Sequence, residues 1–399
     1  MMVIANSHTA RLAICWLTMF LVGTELFVVS PLLPLIAADF QSSPALAGLS
    51  VAVFALTYVI GAPLFGQLAD RVGRRRVLIC CLYAFAAANL LTAAAANLPW
   101  LLAARLLAGA VAAGVSPSVY ALIAGIAPID RRASWLALVV SGLLVSLSLG
   151  APIGGLVGAS IGWPSVFSFL AVASLVLAWL NAQIWPTDHA GGNIAAPFDG
   201  IAKTALVPRL VPMVAWSTAL YGMYTYLGVG LTSSGFSAEQ IAEVIAFYGC
   251  GAISGVLIGG RATDFLGTQL ASRLGLAGLC ASFLLLRFAL DEGVMIDFAF
   301  GLTSAVAQTF FPAQQSGLAN DFPDRRATVL AWNNSALFLG ISLGSLIGGQ
   351  ATAIGGFTAN LTISTLIALA GWALHWMVAP GPTQLAPRPS AEPHGGVVL

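Results

Sequence analysis

The sequence predicts an all-α membrane protein: twelve transmembrane helices in two six-helix bundles related as parallel repeats. Three observations carry this prediction. Of the 399 residues, 59% are hydrophobic and only 8% charged, and the mean hydropathy is +0.92. A water-soluble domain is about one quarter charged. Apolar runs of about 20 residues, the length that crosses a hydrocarbon core, recur twelve times. Short motifs in the first six runs return in the last six at one constant offset.

The runs fall at 12–36, 46–66, 77–97, 101–126, 135–158, 164–185, 208–232, 240–261, 270–290, 295–319, 328–352 and 357–379. The first is long for a signal peptide and no small-x-small site closes it, so it reads as a retained span. Residues 1–185 then form the first bundle and 186–207 a polar cytoplasmic linker holding Lys203, the only lysine. Residues 208–380 form the second bundle, and 381–399 a proline-rich tail expected to be disordered.

Positive charge sets the orientation. Arg11, Arg71, Arg74, Arg75, Arg76, Arg131, Arg132, Lys203, Arg209, Arg261, Arg273, Arg325, Arg326 and Arg388 fall on one side. Loops on the other side carry Asp39, Glu239, Asp291 and Glu292. The basic side is the cytoplasmic side of a bacterial inner membrane, so both termini are expected there. A net charge of +1 offers nothing to a nucleic-acid partner. The five cysteines lie in apolar runs without metal-ligand spacing and read as reduced packing residues; no metal or cofactor is expected.

The repeat is explicit. Gly66-Gln67-Leu68-Ala69-Asp70-Arg71-Val72-Gly73 returns as Gly260-Arg261-Ala262-Thr263-Asp264-Phe265-Leu266-Gly267, an offset of 194. Asp130-Arg131-Arg132-Ala133 returns as Asp324-Arg325-Arg326-Ala327, and Ser148-Leu149-Gly150 as Ser342-Leu343-Gly344, at the same offset. Six spans per unit is an even number, so the halves are parallel repeats about an axis along the membrane normal.

Four stretches carry a resemblance. Gly66-x-Leu68-Ala69-Asp70-Arg71-x-Gly73-Arg74-Arg75 lies between spans 2 and 3, and Arg105-x-x-x-Gly109 in span 4. Gly150-x-Pro152-x-Gly154 lies in span 5 and Asn333-x-Ser335-Ala336-x-x-Leu339-Gly340 in span 11. Together they resemble the major facilitator superfamily, most closely its twelve-span drug:proton antiporter branch, with arabinose-efflux-permease-like members. Ala108 stands where the branch has glutamine, Ser146 where it has glycine and Ala151 where it has proline.

The resemblance implies the major facilitator fold, alternating access, protons and a small-molecule substrate as partners, and a functional monomer. It implies antiport, with efflux of a drug, sugar or metabolite; import of a sugar or organic acid by proton symport is the alternative. It also implies gating roles for Gly66, Asp70, Arg71, Gly73, Arg74, Gly150, Pro152 and Gly154. Asp70 is expected to cap the N-terminal end of span 11 and join the halves in the outward-open state. Gly66 and Gly73 are expected to permit a tight turn and close approach. Small residues recur every fourth position at Ser146, Gly150, Gly154 and Gly158, and at Gly340, Gly344 and Gly348. Such faces let helices pack closely, and spans 5 and 11 are expected to slide on opposite-half neighbours.

Glu25 lies within span 1, where a carboxylate costs at least a few kcal/mol and needs a partner or a wet cavity. It lies about 21 Å beyond Arg11 at 1.5 Å per residue. In a core of about 30 Å that matches the depth of Arg105 in span 4. Desolvation favours the neutral acid, and Arg105 favours the carboxylate. A group poised between the two is a candidate proton carrier, so Glu25 and Arg105 are assigned to proton coupling. Trp216, Tyr221, Tyr224 and Tyr226 in span 7, Gln308 in span 10, and Asn333 and Asn334 in span 11 suggest an aromatic cavity with polar anchors. Of these, Tyr224, Trp216, Gln308, Asn333 and Asn334 are the candidate substrate contacts. Lys203 has no Gly-x-x-x-x-Gly-Lys context, which argues against an ATP-driven pump, and no nucleophile–base set suggests an enzyme.

Overall fold

The computed structural model describes residues 8–128, 131–186, 203–292 and 295–377. Span α1 runs as His8–Phe27 and continues as Val29–Asp39. α2 is Pro44–Val72, α3 Arg74–Ala93 and α4 Leu98–Ile126. α5 passes from Arg132–Val145 through a π-helical turn, Ser146–Gly150, into Ala151–Ile161, and α6 is Trp163–Ile184. α7 is Lys203–Thr225 followed by Leu227–Ser233, α8 Ala238–Leu266 and α9 Thr268–Glu292. α10 is Ile296–Gln308 followed by Phe310–Asp321. The stretch Arg326–Met377 is two helices broken at Gly355 and Gly356: α11 over 326–354 and α12 over 357–377. Twelve spans result. α7 begins at Lys203, so the end of the expected linker is helical; the rest of that linker and the expected tail lie outside the described residues.

Proline explains two of the interruptions. α1 breaks at Val28, three residues before Pro31, and α10 at Thr309, three before Pro312. Each proline lacks the N–H that would bond the carbonyl four residues earlier, which leaves Phe27 and Gln308 with carbonyls to place elsewhere.

The repeat extends to backbone conformation. Gly73 and Gly267 turn α2 into α3 and α8 into α9 at φ +102° and +83°. Gly162 and Gly356 turn α5 into α6 and α11 into α12 at φ +91° and +67°. Gln41 and Gly235 share the left-handed region at φ +49° and +86°. All three pairs are 194 residues apart. Gly73 therefore makes the tight turn expected of it. Gly66 does not: it lies inside α2 with nothing within 4 Å of where a Cβ would sit.

At the face that carries the basic loops, here the terminal face, arginines also finish helices. The α6 C-terminus leaves carbonyls without helical partners. Arg11 Nε donates to Ile184 O at 3.1 Å and Arg75 Nη2 to Ala182 O at 2.6 Å. These cations stand where the helix end favours positive charge.

The small-residue faces lie against helices of their own half, not the opposite half. A Cβ at Gly150, Gly154 or Gly158 would run into Thr24, Val28 or Leu32 of α1. A Cβ at Gly340, Gly344 or Gly348 would run into Ser217, Thr218 or Gly222 of α7. Thr24 and Thr218 are repeat mates, as are Gly150 and Gly344, so the two halves share one packing solution. They differ at one layer by exchange. In the first half Ser146 on α5 meets Gly23 on α1, and in the second Gly340 on α11 meets Ser217 on α7. The serine that departs from the family pattern is thus matched by a glycine opposite. Gly23→Ser is expected to cost about 1–3 kcal/mol by overpacking, and adding Ser146→Gly to recover a substantial part. Thermal unfolding midpoints in detergent would read this; a double variant no more stable than the single would refute the reciprocal fit.

Candidate functional site

Arg105 and Glu25 form a salt bridge through Arg105 Nη1 and Glu25 Oε1, at 1% and 0% side-chain exposure. The position follows from α4. Residues four apart share a helix face, and Gly109 lies one turn beyond Arg105. A Cβ at Gly109 would strike Phe54 O of α2, so glycine there draws α2 close. Arg105 then lies along α2: its Nε donates to Ser50 O at 3.4 Å, and its guanidinium sits 4.6 Å over the Phe54 ring and 5.8 Å from that of Phe167. A planar cation between aromatic faces is favourably held. Glu25 Oε2 is buried and has no hydrogen-bond partner.

The two bundles meet where α1 and α7 are broken. The Phe27 carbonyl that Pro31 frees accepts from Tyr224 Oη at 3.0 Å. Ser30 Oγ donates to Tyr224 O at 2.5 Å. Phe27 stacks on Tyr221 with centroids 6.4 Å apart and planes 8° apart. Ser30 with Tyr224, and Phe27 with Tyr221, are again repeat mates, so both contacts lie on the pseudo-twofold axis. A small cavity of about 10 Å³ beside them is lined by Phe27, Ser30, Val51, Tyr221, Tyr224 and Thr225.

Further contacts close the face opposite the terminal one, the distal face. Ser342 Oγ donates to Ala52 O at 3.0 Å and Ser345 Oγ to Gly48 O at 2.7 Å, joining α11 to α2. Ser148 of α5 packs on Gly249 of α8, and Gly228 of α7 on the Ser30 carbonyl and Pro31. At mid-membrane Tyr58 of α2 stacks on Phe338 of α11 at 3.6 Å and faces Ser116 and Asn334.

The candidate residues thus separate. Glu25 and Arg105 are joined. Tyr224 lies on the axis and bonds across it. Trp216 is 1% exposed and donates from Nε1 to Ala307 O at 2.9 Å, pinning α7 to α10. Gln308 is buried, as is Asn333, whose Oδ1 has no partner, while Asn334 is half-buried near Tyr58. Arg71 and Arg74 are exposed at the terminal face. The side chain of Asp70 lies outside the described residues. Pro152 is buried in α5 directly after the π turn. Ser30, Phe27 and Tyr58 were not singled out from the sequence; the constant offset, applied to α1 and α7, would have found the first two.

Two six-helix bundles joined on an axis through the membrane, with a charge pair buried beside that axis, define a membrane transport protein. The chain belongs to the Major Facilitator Superfamily, whose family model matches residues 15–300 and 219–399. It is 29% identical to the MFS-type transporter YceJ of Bacillus subtilis (strain 168), over 89% of this chain and 94% of the relative. It is also 29% identical to a chloramphenicol resistance protein of Streptomyces lividans, over 85% of this chain and 88% of the relative. Its fold matches the crystal structure of a bacterial homologue of the human lysosomal transporter Spinster, in an inward-facing and occupied conformation. The TM-score is 0.74 at 16% identity, covering 93% of this chain and 96% of the other.

Proposed function

We propose that this transporter is a proton-coupled exporter of small amphipathic molecules, with Glu25 as the proton carrier. The terminal face is cytoplasmic in a bacterial inner membrane, and the molecule alternates access by rocking its bundles about the Phe27–Tyr221 axis. The observation that carries the reading is the Glu25 carboxylate: fully buried, held through one oxygen by Arg105, with the other oxygen unpartnered. Such a carboxylate is stable while paired and takes a proton when the guanidinium is drawn away. The contacts at the distal face correspond to a cytoplasm-facing state. The axial cavity is smaller than the usual range of ligand pockets, about 300–1,000 Å³, so a drug-sized substrate binds as the bundles part. The relative named for chloramphenicol resistance supports export. Proton symport of a sugar or organic acid is the second reading, supported by the departures at Ser146 and Ala151 from the antiporter pattern of span 5.

The test is flux in proteoliposomes under an imposed pH gradient, with chloramphenicol first, then cationic drugs and sugars. Substrate movement against proton movement in the wild type, and pH-independent movement in Glu25→Gln, is the expected result. Movement of proton and substrate in the same direction would establish the symporter. Equal pH dependence in Glu25→Gln would remove Glu25 from the proton path.

A further inference from the structure

The salt bridge between Arg105 and Glu25 leaves two polar atoms over. Glu25 Oε2 and Ser50 Oγ are both buried without a hydrogen-bond partner, and both belong to residues bonded to Arg105. Ser50 and Phe54 are four apart on α2 and so share one face. Phe54 lays its ring on the guanidinium at 4.6 Å, so the Ser50 side chain issues from the face that covers the charge pair. It does so one turn nearer the distal end, where α2 begins at Pro44. Buried serines in other spans behave differently. Ser118, Ser174, Ser217 and Ser282 donate to carbonyls three or four residues earlier, the local bond open to a serine inside a helix. Ser50 keeps its hydroxyl off the Leu46 carbonyl, one turn before it. A hydroxyl buried without a bond is destabilising, so folding alone does not account for this serine.

The duplication shows what packing requires at this corner. At the offset of 194 the mates of Glu25, Ser50 and Arg105 are Ala219, Val244 and Ala299, all buried. The second bundle closes the corner with three apolar side chains. The first has an acid, a serine and an arginine at the same three positions, on three different helices. The hydroxyl therefore belongs with the charge pair. Among the described residues, Arg105 is the charged group that faces Glu25. α5 over 134–161 and α6 over 163–184 contain no charged residue, and α2 and α7 carry theirs at the terminal end, at Asp70, Arg71, Lys203 and Arg209. The phenols on the neighbouring spans are Tyr58 of α2, Tyr120 of α4, and Tyr221 and Tyr224 of α7. Tyr58 faces Ser116 and Asn334, and Tyr224 is bonded to Phe27 O. Ser50 is thus a neutral donor that the packing holds ready for the carboxylate.

We propose that Ser50 is a positioning residue of the proton site: as Arg105 leaves Glu25, the Ser50 hydroxyl turns onto Glu25 Oε2 and holds the carboxylate until it takes its proton. A turn between staggered rotamers suffices. The role rests on the reading of Glu25 as the proton carrier. The test is pH-difference infrared spectroscopy of the full chain in lipid films, which needs no substrate, with Glu25→Gln to assign the Glu25 carboxyl band. In Ser50→Ala the titration midpoint of that band should move up, because losing a donor to the carboxylate favours the protonated acid. The expected size is about one pH unit or more, the worth of a hydrogen bond to a charged group. The carbonyl stretch of the acid should also move to higher frequency. Ser50→Thr keeps the hydroxyl in the shape of Val244, its second-bundle mate, and should retain both wild-type values. A serine that only packs would change the unfolding midpoint and leave the band in place. A band unmoved in Ser50→Ala, or moved equally in Ser50→Thr, would overturn the proposal while leaving Glu25 in the proton path. Absence of any Glu25-dependent band would remove Glu25 from that path, and Ser50 with it.

Discussion

Arg105→Ala is expected to destabilise the folded chain by about 3–5 kcal/mol, the cost of leaving a buried charge unpaired. The orphaned group is Glu25, which has no exposure and already lacks a partner for Oε2. The second member of the cycle makes the prediction specific. Arg105→Ala together with Glu25→Gln removes the charge as well as its partner, so most of the loss should return, apart from the packing of the guanidinium on Phe54 and Phe167. Glu25→Gln alone leaves Arg105 with the Ser50 carbonyl and the two rings and should cost less than Arg105→Ala. Unfolding midpoints of the four proteins in one detergent decide the matter. Equal stability of Arg105→Ala and the double variant would show that Glu25 sheds the cost by taking a proton, or finds water or another partner; repeating the comparison at higher pH, where only the first relief is lost, tells them apart.

Gly228→Val should abolish transport without unfolding the protein. A side chain at Gly228 meets the Ser30 carbonyl and the Pro31 ring in the opposite bundle. Overpacking of this kind costs about 1–3 kcal/mol. Because the clash lies between bundles, the molecule escapes it by parting them at the distal face. A bias of that size is worth about 5–150-fold in the equilibrium between faces. A thiol placed on the axis by Thr225→Cys should then react with a membrane-impermeant maleimide from the distal side faster by a factor in that range. Gly109→Val is the contrast. It strikes the Phe54 carbonyl within one bundle, no motion between bundles relieves it, and the loss should appear as a lower unfolding midpoint. A Gly228→Val protein that misfolds as Gly109→Val does would show that the bundles do not separate there.

The architecture was legible in the sequence because the bilayer imposes it. A span must be apolar over its whole length, so twelve spans announced themselves, and duplication left motifs at one offset. The Glu25–Arg105 pair was legible for a related reason: two opposite charges at one depth in hydrocarbon have few alternatives. Partner choice among apolar helices was not. Gly150 and Gly344 look able to face any neighbour, and only three-dimensional packing turns them to Thr24 and Thr218 of their own halves. The bond from Tyr224 to Phe27 was hidden because its acceptor is a backbone carbonyl, made available by Pro31 four residues on. The bond from the Trp216 N–H to Ala307 O was hidden for the same reason, its acceptor being a backbone carbonyl.

Contacts on the axis have a consequence for chirality. Elsewhere in the molecule a repeat position meets a different position, so both copies of a residue can stay alike. On the axis a position meets its own copy. Two tyrosines at the Ser30–Tyr224 point would collide and two serines would leave a gap, so the halves must differ there. Phe27 opposite Tyr221 repeats the asymmetry with one hydroxyl. A molecule seated on the axis would therefore meet two unlike walls, Phe27 and Ser30 on one side and Tyr221 and Tyr224 on the other, and the duplicated framework would present it with a single preferred orientation instead of two equivalent ones.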